Sequence, residues 1–254
     1  MSRGGPSFDI VVPTVGRPCL AALLEALALS AAAAHGARPG RTFVVDDRPG
    51  PPATPLVEGL PSRLPAPVEV LQSGGAGPAA ARNLGWRASA AEWIAFLDDD
   101  VVLPPDWLDH LAADLVAAGT RVGGSQGRIR VPLPTNRRPT DWERNVAGLE
   151  HAQWATADLA YRRDVLAAAG GFDERFPRAY REDADLGLRV TAARYEITTG
   201  SRTVLHPVRP ASPWVSVRLQ AGNADDAFMT AIHGSGWRQS AGVPTGRRRR
   251  HLAT

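Results

Sequence analysis

The chain has 254 residues, of which 44% are hydrophobic and 22% charged, and this composition is ordinary for a protein with a buried core. Its formal net charge is +3, and all 29 of its basic residues are arginine. A single cysteine excludes an internal disulfide, and no apolar run approaches the ~20 residues that a membrane-spanning helix needs. Because the N-terminus also lacks the pattern of a signal peptide, we expect a cytoplasmic protein.

The first half of the chain alternates short apolar runs with longer helical patterns. A Pro-rich loop separates the second and third apolar runs, with a short helical piece predicted near Leu56. Strands that alternate with helices predict an α/β fold with a mostly parallel, Rossmann-like sheet flanked by helices. In chain order the predicted elements are strand Asp9–Pro13, helix Pro18–His35, strand Thr42–Val45, strand Val68–Leu71, helix Pro78–Ala90, strand Trp93–Leu97 and helix Asp106–Ala118.

The second half of the chain is less regular. From Gly234 onward it has no pattern typical of a core. We predict a single domain over residues 1–233, with a first half (8–118), a second half (119–207) and a C-terminal helix (208–233), followed by a basic, disordered tail (234–254). The predicted elements of this part are the extended segment Arg121–Val131, helices Asp164–Ala169 and Glu182–Ala193, strand Thr203–Leu205 and helix Pro213–Ile232.

Three consecutive aspartates, Asp98 to Asp100, directly follow the fourth predicted strand. Like charges packed together repel, so a positive partner must offset them. Mg²⁺ or Mn²⁺ bridging a diphosphate needs only one or two carboxylates. The alternative is a solvated loop that caps the helix after Pro104-Pro105. A triplet at the carboxyl end of a strand favours metal or ribose binding, because ligands of parallel sheets bind there.

A glycine-rich turn, Gly74–Gly77, follows the third predicted strand. Gly75, Gly77 and Ala80 match the G-x-G-x-x-A pattern of dinucleotide-binding proteins, and Asp98 falls about 20 residues further on. An NAD-dependent oxidoreductase is therefore an alternative class. Two observations count against this class. The dinucleotide-binding pattern normally follows the first strand of the fold, whereas here it follows the third. The strand that carries the ribose-binding acid should also end in one acid, whereas here it ends in three.

Several motifs occur together in a characteristic order. They are Asp47, Gly-Pro-Ala-Ala-Ala-Arg-Asn (Gly77 to Asn83), Phe-Leu-Asp-Asp-Asp (Phe96 to Asp100), Gly-Gly-Phe-Asp-Glu (Gly170 to Glu174) and Arg-Glu-Asp-Ala-Asp-Leu (Arg181 to Leu186). With these motifs the chain resembles the family 2 glycosyltransferases of the GT-A fold, over about residues Asp9 to Pro207. The resemblance implies an inverting enzyme that moves a sugar from a nucleoside-diphosphate sugar to an acceptor hydroxyl.

The resemblance also implies a role for each matching residue. Asp100 is implied to be the direct ligand of Mg²⁺ or Mn²⁺, with His206 completing the metal site. Asp183 is implied to be the catalytic base, and Glu182 lies on the acceptor side. One departure is Ala157-Asp158, where family members often have Gly or Ser-Asn, so we expect an altered donor-sugar pocket. The residues implied to bind the nucleotide sugar are Pro13, Thr14, Arg17, Asp47, Arg82, Asp98 and Asp99.

The chemistry of glycosyl transfer gives these assignments a physical basis. The acceptor hydroxyl must lose its proton as it attacks the anomeric carbon, and a carboxylate within hydrogen-bond reach can accept it. Asp183 opens a predicted helix whose dipole favours the charged form, so we expect it to be ionised. The alternative for this segment is a plain helix cap, with Asp185 paired to Arg189. A lone histidine such as His206 is equally typical of a structural residue.

A nucleotidyltransferase is a further alternative, although Pro13 to Arg17 is a poor version of the basic glycine-rich loop that it needs. The expected partners are the nucleotide-sugar donor and a glycan or other hydroxyl-bearing acceptor. No predicted helix carries the basic face that specific nucleic-acid binding needs. The run Arg247–Arg250 is typical of an exposed tail, and its alternative role is a weak contact with anionic lipid at the inner face of the membrane.

Overall fold

The computed structural model describes residues 5–35, 38–51, 54–56, 64, 66–212, 215 and 220–244. In this part of the chain, no helix is both long and apolar enough to cross a bilayer. The strands are β1 (Phe8–Thr14), β2 (Thr42–Asp46), β3 (Val68–Gln72), β4 (Trp93–Leu97), β5 (Val122–Arg130), β6 (Asp158–Arg162) and β7 (Glu196–Leu205). The helices are α1 (Cys19–Ala33), α2 (Pro78–Ala88), α3 (Trp107–Ala117), α4 (Asp141–Ala147), α5 (Arg163–Ala169), α6 (Glu182–Ala192), α7 (Gly222–His233) and α8 (Trp237–Ser240), with a 3₁₀ turn at Gly148–His151.

The strands form one sheet in the order β3-β2-β1-β4-β6-β5-β7. β6 is antiparallel to both of its neighbours, whereas the other adjacent pairs are parallel. From β1 the chain first builds outward to β3 and then returns to the other side of β1 with β4. The strand order therefore reverses between β1 and β4, and open α/β sheets bind ligands beyond the carboxyl ends of the strands at such a point. The predicted mostly parallel α/β sheet is confirmed.

Both faces of the central strands β1, β2 and β4 are buried, because these strands are apolar at nearly every position. In β4, Ala95 and Leu97 pack in one core, and the intervening Phe96 packs in the other. Helices α1 and α3 cover the first face. Helices α2, α5, α6, α7 and α8 contribute to the core on the second face. This packing fixes the carboxyl ends of β1 and β4 side by side.

Three elements of the second half differ from the prediction. β6 and α4 lie where no element was predicted, and β7 begins at Glu196 instead of Thr203. The early part of β7 is exposed on an edge of the sheet, so its polar residues give no apolar pattern. The start of α4 could have been predicted from the sequence, because Thr140 and Glu143 have the spacing of a capping box and form one in the structure.

The C-terminal prediction is wrong in two respects. The single helix Pro213–Ile232 is interrupted, since residues 220 and 221 form a turn and α7 begins at Gly222. The expected disordered tail begins too early, because α8 follows and Trp237 is buried, its Nε1 donating to Thr230 Oγ1 at 3.1 Å. A single tryptophan in a four-residue helix produces no periodicity that sequence reasoning could detect. Three predicted segments lie partly or wholly outside the described residues. They are the helical piece near Leu56, the first part of the helix Pro213–Ile232 (residues 213, 214 and 216–219) and the run Arg247–Arg250.

Candidate functional site

The middle aspartate of the triplet ties two strand ends together. Asp99 accepts hydrogen bonds from Thr14 Oγ1 at 2.5 Å and from Arg17 Nη1 at 2.7 Å. Its side chain is 1% exposed. Three residues that the resemblance implies to bind the nucleotide sugar are therefore linked through Asp99, which braces the ends of β1 and β4. Their contact with a nucleotide stays a prediction.

The two outer aspartates face a histidine from the other end of the chain. Asp98, Asp100 and His206 each offer one ligand atom, and these atoms lie within 4.8 Å of one another. His206 is placed there because Leu205 pairs with Val102 in a two-hydrogen-bond bridge just beyond the triplet. The predicted pairing of Asp100 with His206 is thus seen in the geometry, and Asp98 joins them.

The donor set of this cluster fits a divalent cation. Carboxylate oxygens and an imidazole nitrogen are ligands that Mn²⁺ accepts, and carboxylates suit Mg²⁺. His206 Nδ1 is buried and has no hydrogen-bond partner among the described residues. Burial and the charge of Asp98 raise the pKa of Asp100, while His206 and Arg209 oppose this shift. The positive neighbours of Asp100 thus do not fully compensate its charge, as expected at a cation site.

A buried arginine connects this cluster to the start of α6. Arg82 Nη2 donates to Asp98 Oδ1 at 2.8 Å, and its Nη1 donates to Glu182 Oε1 at 2.7 Å. Arg82 is 2% exposed, and its guanidinium also lies 5.6 Å from the centroid of the Phe172 ring. Arg82 therefore links two carboxylates, and its predicted contact with the nucleotide stays a prediction.

Glu182 shares this arginine with other acids. Burial and the adjacent charge of Asp183 raise the pKa of Glu182 to about 8, against the attraction of Arg82. Its Oε2 is buried and has no hydrogen-bond partner among the described residues. Three carboxyl groups, those of Asp98, Glu182 and Asp183, thus surround one guanidinium, so the cluster favours retention of a proton.

The candidate base Asp183 lies in the first turn of α6, as predicted. The Ala184 N–H donates to Asp183 Oδ1 at 2.7 Å. Burial raises the pKa of Asp183, and the Ala184 N–H and the charge of Arg82 only partly offset it. Desolvation therefore outweighs the Ala184 N–H in setting the direction of this shift, and the expected ionised state of Asp183 stays a prediction. The paired reading of Asp185 holds, since Arg189 Nη2 lies 2.5 Å from its carboxylate.

No role was predicted from the sequence for Arg181, the residue that positions the start of α6. Arg181, immediately before the helix, has φ of 77°, which is rare for a residue other than glycine. Its guanidinium lies over the Tyr180 ring at 4.2 Å, and its Nε donates to Asp226 Oδ1 of α7 at 2.8 Å. The C-terminal helices therefore hold a strained backbone turn at the start of α6, a feature that is common at functional sites.

The predicted base-binding residue Asp47 holds the glycine-rich turn. Its carboxylate accepts from the Gly77 N–H at 3.1 and 3.2 Å and from Ser73 Oγ at 2.7 Å. Gly77 has φ of 98°, and Pro78 follows it as the predicted first residue of α2. Pro13 lies beside Val45 in the parallel register of β1 and β2. Both predicted residues thus lie at the carboxyl edge, and their nucleotide contacts stay predictions.

Asp158 does not open onto this crevice, in contrast to the expectation of an altered sugar pocket. Its side chain is fully buried and accepts from Arg202 Nε at 2.7 Å and from Trp107 Nε1 at 2.9 Å. Arg202 is itself fully buried and also pairs with Asp114 at 2.9 Å. This polar cluster joins β6, β7 and α3 and is structural.

A separate cavity of about 410 Å³ lies between α3 and β7. Val102, His110 and Ser201 are among its lining residues, and none of the predicted site residues lines it. The bridge between Val102 and Leu205 lies in its wall, and Leu205 is followed by His206 of the metal-capable cluster (Asp98, Asp100 and His206). The acidic crevice, with its converging charged groups, is therefore the candidate functional site.

The fold is an α/β sheet that carries, at its carboxyl edge, a cluster of two acids and a histidine that could hold a metal ion. Residues 9–176, well over half of the chain, match the family described as Glycosyl transferase family 2. The chain belongs to glycosyltransferase family 2.

Two curated proteins are similar to the chain. It is 27% identical over 243 residues to the succinoglycan biosynthesis protein ExoM of Rhizobium meliloti (strain 1021). This match covers 92% of this chain and 78% of that protein. It is 24% identical over 240 residues to the O-antigen biosynthesis protein RfbC of Myxococcus xanthus. This match covers 80% of this chain but only 17% of that protein. The chain therefore spans less than a fifth of the length of this second relative.

A solved structure supports the same fold. The mannosyltransferase PcManGT from Pyrobaculum calidifontis, in complex with GDP-Man and Mn²⁺, is similar to the chain with a TM-score of 0.56 and 20% identity. The match covers 86% of this chain and 61% of that chain. The predicted family and the GT-A fold are confirmed, and neither the oxidoreductase nor the nucleotidyltransferase alternative is favoured.

Proposed function

We propose that the chain transfers a sugar from a nucleoside-diphosphate sugar to an acceptor hydroxyl, with inversion at the anomeric carbon. One observation carries this proposal: the buried Arg82 contacts Asp98 of the metal-capable cluster and Glu182, the neighbour of Asp183. This link supports the proposal because it connects the candidate metal ligand Asp98 with the start of α6, where the candidate base Asp183 lies. Membership of family 2 supports the same reaction.

Asp183 is proposed to be the general base. The acceptor oxygen forms a bond to the anomeric carbon, its proton passes to the Asp183 carboxylate, and the electron pair of the breaking bond leaves with the diphosphate. The raised pKa of Asp183 makes its carboxylate a better proton acceptor than an ordinary aspartate. Arg82 keeps the charge of the surrounding acids partly neutralised while this proton moves.

The cluster of Asp98, Asp100 and His206 is proposed to hold Mg²⁺ or Mn²⁺. A divalent metal bound there would supply Lewis-acid neutralisation of the charge that builds on the diphosphate. The Mn²⁺ in the mannosyltransferase of similar fold supports this cofactor.

The donor is proposed to lie in the crevice at the switch point between β1 and β4. Pro13 in β1 and Arg17, which follows this strand, are proposed to border the crevice, and Asp47 is proposed to shape it by holding the turn at Gly77. Asp99 is proposed to support the donor site through its contacts with the β1 end. Backbone N–H groups at the start of α2 add the electropositive end of a helix dipole.

The acceptor is proposed to be a saccharide hydroxyl. The names of the two relatives, which refer to O-antigen and succinoglycan biosynthesis, support this class of acceptor. A cytoplasmic location, and a weak lipid contact through Arg247–Arg250, remain predictions.

The proposal is tested by a thermal-shift screen of the full chain. UDP-, GDP-, CMP- and dTDP-sugars are each added with Mn²⁺ or with EDTA, and NAD is included as a comparison. We expect one nucleoside-diphosphate sugar to raise the melting temperature, and to do so only with Mn²⁺. The Asp100→Asn variant serves as a control that should lose this dependence on Mn²⁺. Stabilisation by NAD and by none of the sugars would contradict the proposal.

A further inference from the structure

Arg209 is a residue that the proposed chemistry has not used. It follows His206 by three positions, and its Nε lies 2.8 Å from Asp100 Oδ2 in an ion pair. The Asp100 side chain is 6% exposed, whereas that of Arg209 is 46% exposed. The guanidinium thus reaches a buried carboxylate from the solvent side of the crevice.

The backbone of Arg209 is anchored while its side chain remains accessible. The carbonyl oxygen of Arg209 accepts a hydrogen bond from Trp142 Nε1 of α4 at 2.8 Å. Helix α4 is in turn fixed at its start by the capping box of Thr140 and Glu143. A long, half-exposed side chain on a held backbone can change its partner without movement of the fold.

Each aspartate of the triplet has its own arginine. Arg82 contacts Asp98, Arg17 contacts Asp99, and Arg209 contacts Asp100. Arg82 is buried and Arg17 is less exposed than Arg209, so Arg209 is the one that can leave most readily. A divalent ion at Asp98 and Asp100 would bring two positive charges to within a few ångströms of the Arg209 guanidinium, and like charges at that distance repel.

We propose that Arg209 exchanges partners when the donor binds, holding Asp100 in the metal-free protein and contacting the diphosphate of the nucleotide sugar once a metal occupies the cluster. The inference deepens the proposed function and rests on it. A guanidinium can bind two phosphate oxygens at once. When a metal neutralises the Asp100 carboxylate, the diphosphate becomes the stronger source of negative charge for Arg209.

The exchange has a thermodynamic consequence. Arg209 competes with the metal for Asp100 when no nucleotide is present, and it favours the diphosphate when both are present. It therefore couples the two binding equilibria, so that metal and nucleotide bind better together than separately. Removal of the guanidinium should therefore raise the affinity for the metal alone and lower the affinity for the nucleotide. A purely structural role of Arg209 would not change the two affinities in opposite directions.

The experiment compares the full chain with the Arg209→Ala variant. Mn²⁺ affinity without nucleotide is measured by electron paramagnetic resonance of free Mn²⁺, and affinity for UDP, GDP, CDP and dTDP at saturating Mn²⁺ is measured by calorimetry. In the variant we expect Mn²⁺ to bind about three- to tenfold more tightly. The nucleotide that the wild-type chain binds should bind the variant roughly tenfold more weakly.

Arg121→Ala is the matched control. Arg121 is an exposed arginine in an ion pair with Glu196. It precedes β5, whose first residues lie at the sheet edge opposite the carboxyl ends. We expect this variant to bind both ligands as the wild-type chain does. Melting temperatures of both variants verify that they are folded.

The outcomes separate the two proposals. A wild-type chain that binds none of the four nucleotides with Mn²⁺ would overturn the proposed function and this inference with it. If the wild-type chain binds one of them, any result in which Arg209→Ala does not move the two affinities in opposite directions overturns the exchange alone.

Discussion

Arg82 and Glu182 are 100 positions apart in the sequence and form an ion pair of 2.7 Å in which both side chains are almost fully buried. The pair joins α2 to the first turn of α6 and so places the candidate base beside the metal-capable cluster. Removal of Glu182 is costly, because Arg82 Nη1 then loses its acceptor in a medium that solvates it poorly, while Asp98 still accepts only from Nη2.

Truncation of Glu182 should therefore destabilise the chain. We expect Glu182→Ala to lower the free energy of unfolding by about 3 kcal/mol. Glu196→Ala removes a glutamate from an exposed ion pair and should cost less than about 1 kcal/mol. Urea unfolding followed by circular dichroism measures both values. Equal losses in the two variants would show that the buried pair adds nothing to stability.

The stability of the metal-free chain should depend on pH through Glu182. The pKa of this carboxyl rises from 4.5 to about 8 on folding, so the folded chain retains a proton that the unfolded chain releases. The contribution to stability is complete below about pH 4.5 and is lost as the pH rises towards 8. In EDTA, the free energy of unfolding should thus fall across this range.

Glu182→Gln removes the titrating group and should flatten this pH dependence, whereas the exposed Glu196→Gln should leave it unchanged. Urea midpoints at intervals between pH 5 and pH 8 provide the measurement. Superimposable slopes for wild type and Glu182→Gln would mean that another group holds the proton.

Asp183→Asn should stop transfer and leave donor binding nearly intact. Loss of a general base lowers kcat by at least about 100-fold, while the dissociation constant of the donor should change by no more than about threefold. Asp185→Asn is the neighbouring control, since Asp185 is bound by Arg189 and by His233. It should lose stability but retain turnover per folded molecule. A comparable loss of donor affinity in Asp183→Asn would argue against the base role.

Adjacent aspartates of the triplet should respond differently to amidation. Asp100→Asn removes a charged candidate ligand and should weaken Mn²⁺ binding by at least roughly tenfold. Asp99→Asn should leave Mn²⁺ affinity almost unchanged and lower stability, because Asp99 serves Thr14 and Arg17. Paramagnetic resonance of free Mn²⁺ and thermal unfolding separate the two effects. Equal weakening of Mn²⁺ binding would mean that Asp99 takes part in the metal site.

Asp158→Asn should destabilise the fold without altering donor recognition. Its carboxylate is the fully buried partner of Arg202, so loss of the negative charge should cost about 3 kcal/mol or more. Donor affinity, measured at a temperature where the variant is folded, should match that of the wild-type chain. A changed preference among nucleotide sugars would instead place Asp158 in the donor pocket.

Much of the fold could be predicted from the sequence because local patterns record it. β4 is an unbroken apolar run, and α2 begins at a proline that suits the first turn of a helix. Elements that lack such patterns were missed. β6 is short, and its identity as a strand depends on the neighbours β4 and β5, which lie far away in the sequence.

The sequence by itself determined the family and the identity of the candidate acids, because acids at strand ends and an ordered set of motifs are local properties of the chain. Only the tertiary structure decided how these acids are partnered. It directed Asp99 towards β1, brought His206 to Asp100, and placed Arg209 on the same carboxylate. Pairing depends on the distance between side chains from separate elements, and the energetic effect of a charge depends on its burial, which no local pattern encodes.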